Sequence, residues 1–250
     1  MTIKVLIPVH KESVDYLRRC LNSVLMQPVE GVEAYVLLSG AQPAPGARDY
    51  LEGLAAEHPQ VHLTVQQDRL SASAARNRLI ALSEGGTIAF LDADDEWLPN
   101  HLTQFQGAMA DRGIGPDKSA LYTAPYVQRQ SKRRVHPRGE NHTIWSLTRQ
   151  PLLLSSMIMT HIPGDLRFRE GGAEDLVFYA DCLQALDHFV AGPHESVIYD
   201  QGNWAQKTTS WKLKRTYRTY MTIFENPVTA AFFVGLFSVH YLGRRAFGWL

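Results

Sequence analysis

The chain has 250 residues, 45% of them hydrophobic, enough to bury a full core and suited to one large domain or one domain plus an extension. Lys and Arg balance Asp and Glu at 25 each, so bulk electrostatics gives no support to a nucleic-acid-binding role and no nucleic-acid partner is expected. The two cysteines, Cys20 and Cys182, are far apart in helical-looking segments and read as buried free thiols of a reducing compartment rather than a disulfide framework.

Residues 3–8 are too short an apolar run for a signal peptide, which makes a cytoplasmic location the expectation. Residues 5–9 read as a buried strand, followed by a helix over 13–26 with Leu17, Cys20, Leu21, Val24 and Leu25 on one face. A second strand covers 34–38, the Pro- and Gly-rich stretch 40–46 is a loop, and 48–57 is helical. A third strand alternates over 61–65, a helix over 71–83 turns Ala74, Leu79 and Leu82 inward, and a fourth strand spans 87–91. This alternation predicts an α/β fold with a mostly parallel sheet and right-handed crossovers.

Farther on, 101–111 reads as a helix, 120–130 as one long strand, and 129–138 as a basic loop containing Lys132, Arg133 and Arg134. Residues 152–160 are apolar, 173–186 are helical, 189–199 hold a strand, and 211–224 and 227–242 form two helices. No repeat or low-complexity tract interrupts the chain. It is read as a domain over 1–205 and a helical extension over 206–250.

That extension has its own character. Lys207, Lys212, Lys214, Arg215, Arg218, Arg244 and Arg245 stand against Glu225 alone, and no charged side chain lies between Glu225 and Arg244. At about 1.5 Å per residue, the uncharged stretch falls short of the about 30 Å hydrocarbon core of a bilayer. The reading is an amphipathic helix over 226–245 that meets an anionic membrane surface, with packing on its own domain or on a second copy in a homo-oligomer as the alternative.

The densest chemical signal is Ala89-Phe90-Leu91-Asp92-Ala93-Asp94-Asp95, where an apolar run ends in three carboxylates. Like charges this close repel, and a hard divalent cation such as Mn²⁺ or Mg²⁺ relieves the repulsion while binding phosphate oxygens. The plainer reading is an acidic turn ahead of a helix. Strand ends in parallel sheets are where ligands gather, which favours a site.

Four pieces in order resemble family 2 glycosyltransferases of the GT-A fold, a Rossmann-like sheet flanked by helices. Val5-Leu6-Ile7-Pro8-Val9-His10-Lys11-Glu12, followed by Cys20-Leu21-Asn22-Ser23-Val24-Leu25-Met26-Gln27, is similar to the opening strand, turn and helix of that family. Ser73-Ala74-Ala75-Arg76-Asn77 resembles its A-A-R-N turn, and Phe90-Leu91-Asp92-Ala93-Asp94-Asp95 with Pro99 resembles its metal motif. Glu170-Gly171-Gly172-Ala173-Glu174-Asp175 resembles the segment bearing the catalytic base.

The resemblance implies a metal-dependent inverting transfer of sugar from a nucleotide-diphospho-sugar, UDP-linked, to a glycan or lipid-linked hydroxyl in bacterial glycoconjugate synthesis. Pro8, Val9, His10 and Glu12 would wall the nucleotide, and Arg76 would offer a fork of donors to a diphosphate or a base carbonyl. Asp94 would be the main metal ligand, with Asp92 a second ligand or ribose contact beside Ala93. Asp175 would be the general base and Glu174 the acceptor holder, or the reverse; the plainer role for both is to favour the positive end of a helix. Three family features are missing. Leu37-Leu38-Ser39-Gly40-Ala41 stands where relatives carry a base-reading aspartate, leaving Ser39 as a weak substitute; residues 199–204 lack a histidine; and there is no Q-x-x-R-W, so one transfer per encounter is expected. The rivals are a silent nucleotide-sugar-binding or assembly protein and, less favoured, a sugar nucleotidyltransferase.

Overall fold

A computed structural model describes residues 1–84, 86–136, 153–202 and 208–247, with side chains through Ser238. The expectations for residues 137–138, for Leu152, for 203–207 and for the side chains of Arg244 and Arg245 lie outside the described residues. The first half alternates β1 (Ile3–Val9), α1 (Val14–Leu25), β2 (Val32–Ser39), α2 (Ala47–Glu57), β3 (Val61–Gln66), α3 (Ala72–Leu82) and β4 (Thr87–Phe90). Then come β5 (Glu96–Trp97), α4 (His101–Asp111), β6 (Ala120–Thr123), β7 (Tyr126–Gln128), β8 (Arg134–Val135) and β9 (Met157–Met159). The rest is α5 (Glu174–Ala185), β10 (His188–Ala191), β11 (Val197–Tyr199), α6 (Thr209–Phe224) and α7 (Pro227–Phe247).

The central sheet has seven strands in the order β10-β6-β9-β4-β1-β2-β3. β1 is parallel to β2 and β4, β2 to β3, and β6 to β10, while β9 runs antiparallel between β4 and β6. The strand period of two sorts side chains onto two covered faces. Val5, Ile7, Val36, Ala89 and Tyr122 face a layer that includes Leu17, Leu51 and Phe105 of α1, α2 and α4. Leu6, Leu37, Phe90 and Leu121 face the opposite layer, where α3, α5, α6 and α7 supply Leu79, Phe178, Tyr220 and Phe233. Burial on both faces is why these strands read as continuous apolar runs.

Two expected strands divide. Residues 120–130 give β6 in the main sheet and β7 in a second, four-stranded sheet ordered β5-β11-β7-β8, because Pro125 has no amide to donate and the chain turns there. Residues 189–199 split likewise, into β10 and β11, across Gly192 and Pro193. Within the described part of the basic loop, Arg134–Val135 form the short strand β8. Cys20 and Cys182 are buried free thiols.

Candidate active site

The carboxyl ends of β1, β2 and β4 lie side by side, since β1 pairs with both others, and a cavity of about 610 Å³ opens there. Pro8, Val9, His10, Glu12, Ser39, Arg76, Asp92, Ala93 and Asp94 all line it, although they come from four separate stretches of chain. Arg69, Leu70, Ser71, Ala72 and Ala75 complete the wall; the sequence marked this stretch only as the start of the helix over 71–83.

Beyond β1, the Glu12 carboxylate accepts from the amides of His10 (2.6 Å) and Lys11 (3.0 Å), so it holds its own turn. His10 Nδ1 lies 2.7 Å from the carbonyl oxygen of Ser39. A carbonyl only accepts, so Nδ1 carries a proton, and Nε2 is buried without a partner among the described residues. Gly40 makes room for this ring: its φ is +112°, and a Cβ there would sit 3.0 Å from His10 Cε1.

The acidic turn is held by groups that the motif does not contain. Ser155 donates its hydroxyl to Asp95 Oδ2 and accepts the Asp92 amide at 3.0 Å, while Asp95 Oδ1 accepts the Asp200 amide at 2.8 Å. The Trp97 indole donates to the Ser155 carbonyl oxygen at 2.7 Å. Asp95 therefore ties the turn to the segment before β9 and to the end of β11. Burial, then the charges of Asp94 and Asp92, hold its carboxyl well above the ordinary range, against the hydrogen bonds from Ser155 and Asp200. Asp94 is half-buried; burial first and Asp92 second, with Glu12 and Asp200 adding, push its carboxyl up to about 7.

Arg76 is the joint of the site. Only 6% exposed, it donates through Nη2 to Asp92 Oδ1 at 2.6 Å and through Nη1 to Glu174 Oε1 at 3.1 Å. Burial opposes its charge, but Asp92 and Glu174 outweigh burial and hold its pKa above the ordinary arginine value. The fork that looked suited to a phosphate is thus turned onto two carboxylates. Its neighbours anchor the same loop: Asn77 exchanges two hydrogen bonds of 2.8 Å with the backbone of Phe168, and Ser73 donates to the Arg169 carbonyl oxygen at 3.1 Å.

Glu174 and Asp175 open α5 outside the cavity lining, and Arg76 links Glu174 to Asp92. Asp175 is half-buried, and its Oδ1 is buried without a partner among the described residues. Burial, then Glu174, raise its pKa above the ordinary carboxylate range, while Arg215, Arg76 and the Leu176 amide act the other way. A carboxylate oxygen with a raised proton affinity and no donor suits the acceptance of a proton. Ser155 had no sequence signal and Arg215 was marked only as one of the cations of the extension, because each reaches the site only through tertiary contact.

Among the described residues, no group of three His, Cys, Asp or Glu comes together in metal-binding geometry. Asp92 and Asp94 are a partial, all-oxygen set. Hard cations such as Mg²⁺ are usually held by one or two carboxylates and completed by substrate phosphates, so these residues fit such an ion.

The model of glycosyl transferase family 2 matches residues 4–168. The succinoglycan biosynthesis protein ExoW of Rhizobium meliloti is 26% identical over 222 residues, covering 80% of this chain and 69% of that protein. The glycosyltransferase AglE of Haloferax volcanii is 28% identical over 115 residues, 44% of this chain and 37% of that protein. Among solved structures, TarS of S. aureus in complex with UDP-GlcNAc superposes with a TM-score of 0.68 at 14% identity, covering 99% of this chain and 73% of that one. The mannosyltransferase PcManGT from Pyrobaculum calidifontis, in complex with GDP-Man and Mn²⁺, gives 0.59 at 14% identity, with 99% and 76% covered. At such identities the superpositions speak to the fold, which is that of the GT-A glycosyltransferases.

Proposed function

The chain belongs to glycosyl transferase family 2 and is a glycosyltransferase, and from that premise we propose that it moves a sugar, with inversion, from a UDP-linked donor to a hydroxyl of a glycan or lipid-linked acceptor in polysaccharide synthesis. The observation that carries the reading is the joint at Arg76, which ties the acidic end of the cavity to the segment bearing a carboxylate with an unpartnered oxygen. The nucleotide lies along Pro8–Glu12 and Ser39, with its diphosphate toward Asp92 and Asp94. A divalent cation held by Asp94, with Asp92 beside it, would offset the charge on the departing nucleoside diphosphate. Asp175 takes the proton of the acceptor hydroxyl as its oxygen attacks the anomeric carbon from the face opposite the leaving group, and inversion follows. Arg76 and the hydrogen bonds to Asp95 keep the carboxylates in place without spending substrate binding on the task.

Two variants test this division of labour, with UDP binding followed by calorimetry with and without Mn²⁺ and UDP release followed as turnover. Asp94→Ala is expected to lose the Mn²⁺-dependent part of binding, whereas Asp175→Asn binds and does not turn over. Equal binding and equal turnover in the two variants would contradict the roles. A wild-type protein that binds donor and transfers nothing is the silent binding protein instead.

The acceptor reading gains support from the helices at the end of the chain. Trp211, Leu213 and Tyr217 are exposed on α6, where they stand next in sequence to Lys212, Lys214 and Arg218, and Val228 (77%) and Phe232 are exposed on α7. Apolar side chains beside cations suit the cytoplasmic face of an anionic membrane. Among the described residues no helix is long and apolar enough to cross one. Sedimentation with anionic vesicles should fall on replacing Trp211 and Phe232 by Ser; unchanged lipid binding, or a concentration-dependent dimer lost in that variant, assigns the surface elsewhere.

A further inference from the structure

We infer that α6, which lies beyond the family-matched segment and beyond the boundary read at 205, is part of the catalytic centre, with Arg215 a positioning residue for Glu174 and Asp175. The inference rests on the reading of Asp175 as general base.

The loop before α5 is pressed onto α6 at backbone distance. A Cβ at Gly172 (φ +52°) would fall 2.5 Å from the Thr219 amide nitrogen and 2.7 Å from its Cα, and one at Gly171 (φ +140°) would fall 2.3 Å from Thr222 Oγ1. Glycine alone meets both demands, a positive φ and a missing side chain. The approach is then fastened. The Ala173 amide, which no helical carbonyl can satisfy at the start of α5, donates to Thr219 Oγ1 at 2.7 Å. Arg169 grips both Asp181 oxygens on α5, at 2.9 and 2.8 Å, and donates to the Thr222 carbonyl oxygen on α6 at 2.9 Å. A segment so tightly fixed to α6 takes its position from that helix.

One turn before Thr219, Arg215 Nη2 lies 3.8 Å from Glu174 Oε2, while Arg76 holds the other oxygen of the same carboxylate from α3. Glu174 is therefore clamped between cations of two helices. The groups around Asp175 are Glu174 on its own helix, Arg76 from α3, Arg215 from α6 and Tyr199 from β11. Burial and Glu174 favour its protonated form, and the two arginines favour the carboxylate. Arg76 also serves Asp92, so Arg215 is the cation whose removal changes this corner while sparing the acidic turn.

The test uses full-length Arg215→Met and Arg215→Lys. UDP release is measured from whichever of UDP-glucose, UDP-galactose and UDP-GlcNAc the wild type turns over. In Arg215→Met the acid limb of the kcat/KM profile should move up by about one pH unit, so that the rate on that limb is about tenfold lower. Donor KM should hold, the rates should converge at high pH, and Arg215→Lys should restore the wild-type profile. An unmoved profile, or a uniform loss at all pH that Lys does not rescue, overturns the inference. A second measurement needs no donor: the Asp175 carboxyl, assigned in ¹³C NMR by its loss in Asp175→Asn, should titrate about one unit higher in Arg215→Met. An unmoved midpoint overturns the inference by itself. The base assignment fails separately, if Asp175→Asn keeps its turnover.

Discussion

Two acidic segments meet at Arg76, and they are held in place by different means. The Asp92–Asp95 turn hangs from a strand end and is fixed by hydrogen bonds to its own carboxylates and amides, from Ser155 and Asp200. The Glu174–Asp175 segment starts a helix and is fixed by backbone approach to α6 and by cations. In the first, burial and then crowded like charges raise proton affinity, and the crowding favours a bound cation. In the second, one oxygen is left without a donor, which favours taking a proton. Equal carboxylates are thus given unlike settings by what surrounds them.

Breaking one segment and sparing the other gives the largest expected effect. Asp175→Asn should lower kcat by about 10²–10⁴-fold while leaving UDP and Mn²⁺ binding nearly intact, as read by single-turnover kinetics and calorimetry. Cutting the joint itself comes next. Arg76→Met leaves Asp92 and Glu174 without their shared cation and should cost about 3 kcal/mol in urea unfolding, the low end for a broken buried pair because both carboxylates keep partial solvent access. A loss under about 1 kcal/mol would show that the brace contributes no more than a surface pair.

A smaller effect isolates the turn. Ser155→Ala removes a donor to buried Asp95 and should cost about 1–3 kcal/mol, with weaker Mn²⁺-dependent nucleotide binding and an unchanged acid limb of the rate profile. The last concerns the α4 layer, across the sheet from α5. His101 is fully buried, its Nδ1 2.8 Å from Ser196 Oγ and its ring 4.4 Å from that of Trp97, and burial lowers its pKa to about 3. The folded protein thus binds this proton less readily than the unfolded chain does. The stabilisation is complete above the unfolded value of about 6.5 and is lost as pH falls from there toward about 3. Wild type should lose more denaturant resistance than His101→Phe between pH 7 and pH 4.5; equal losses would place the acid sensitivity in other groups.

Much of the cavity wall was legible beforehand. Pro8, Val9, His10, Glu12, Ser39 and Asp92 to Asp94 lie at or just past the ends of strands whose apolar runs stand out, and all of them line one cavity. The breaks at Pro125 and at Gly192-Pro193 were carried by residues in plain view, yet an unbroken apolar pattern around them suggested single strands. The partners of Arg76 were not legible, for Glu174 lies 98 residues away from it in sequence. Ser155 and Arg215 were hidden for the same reason, and so was the space that Gly171 and Gly172 leave for α6.

By itself, the order of residues determined the alternating elements, the two covered faces of the sheet and the chemistry gathered at its strand ends. Those properties follow from periods of two and 3.6 residues and from local clustering of like groups, which any window of the chain displays. Only the tertiary structure decided that Arg76 braces two carboxylates from distant segments, that Asp95 ties strands together, and that α6 backs the segment bearing Asp175. Such choices are made by distance in space between parts far apart along the chain, where a buried charge or a missing Cβ has to find its match.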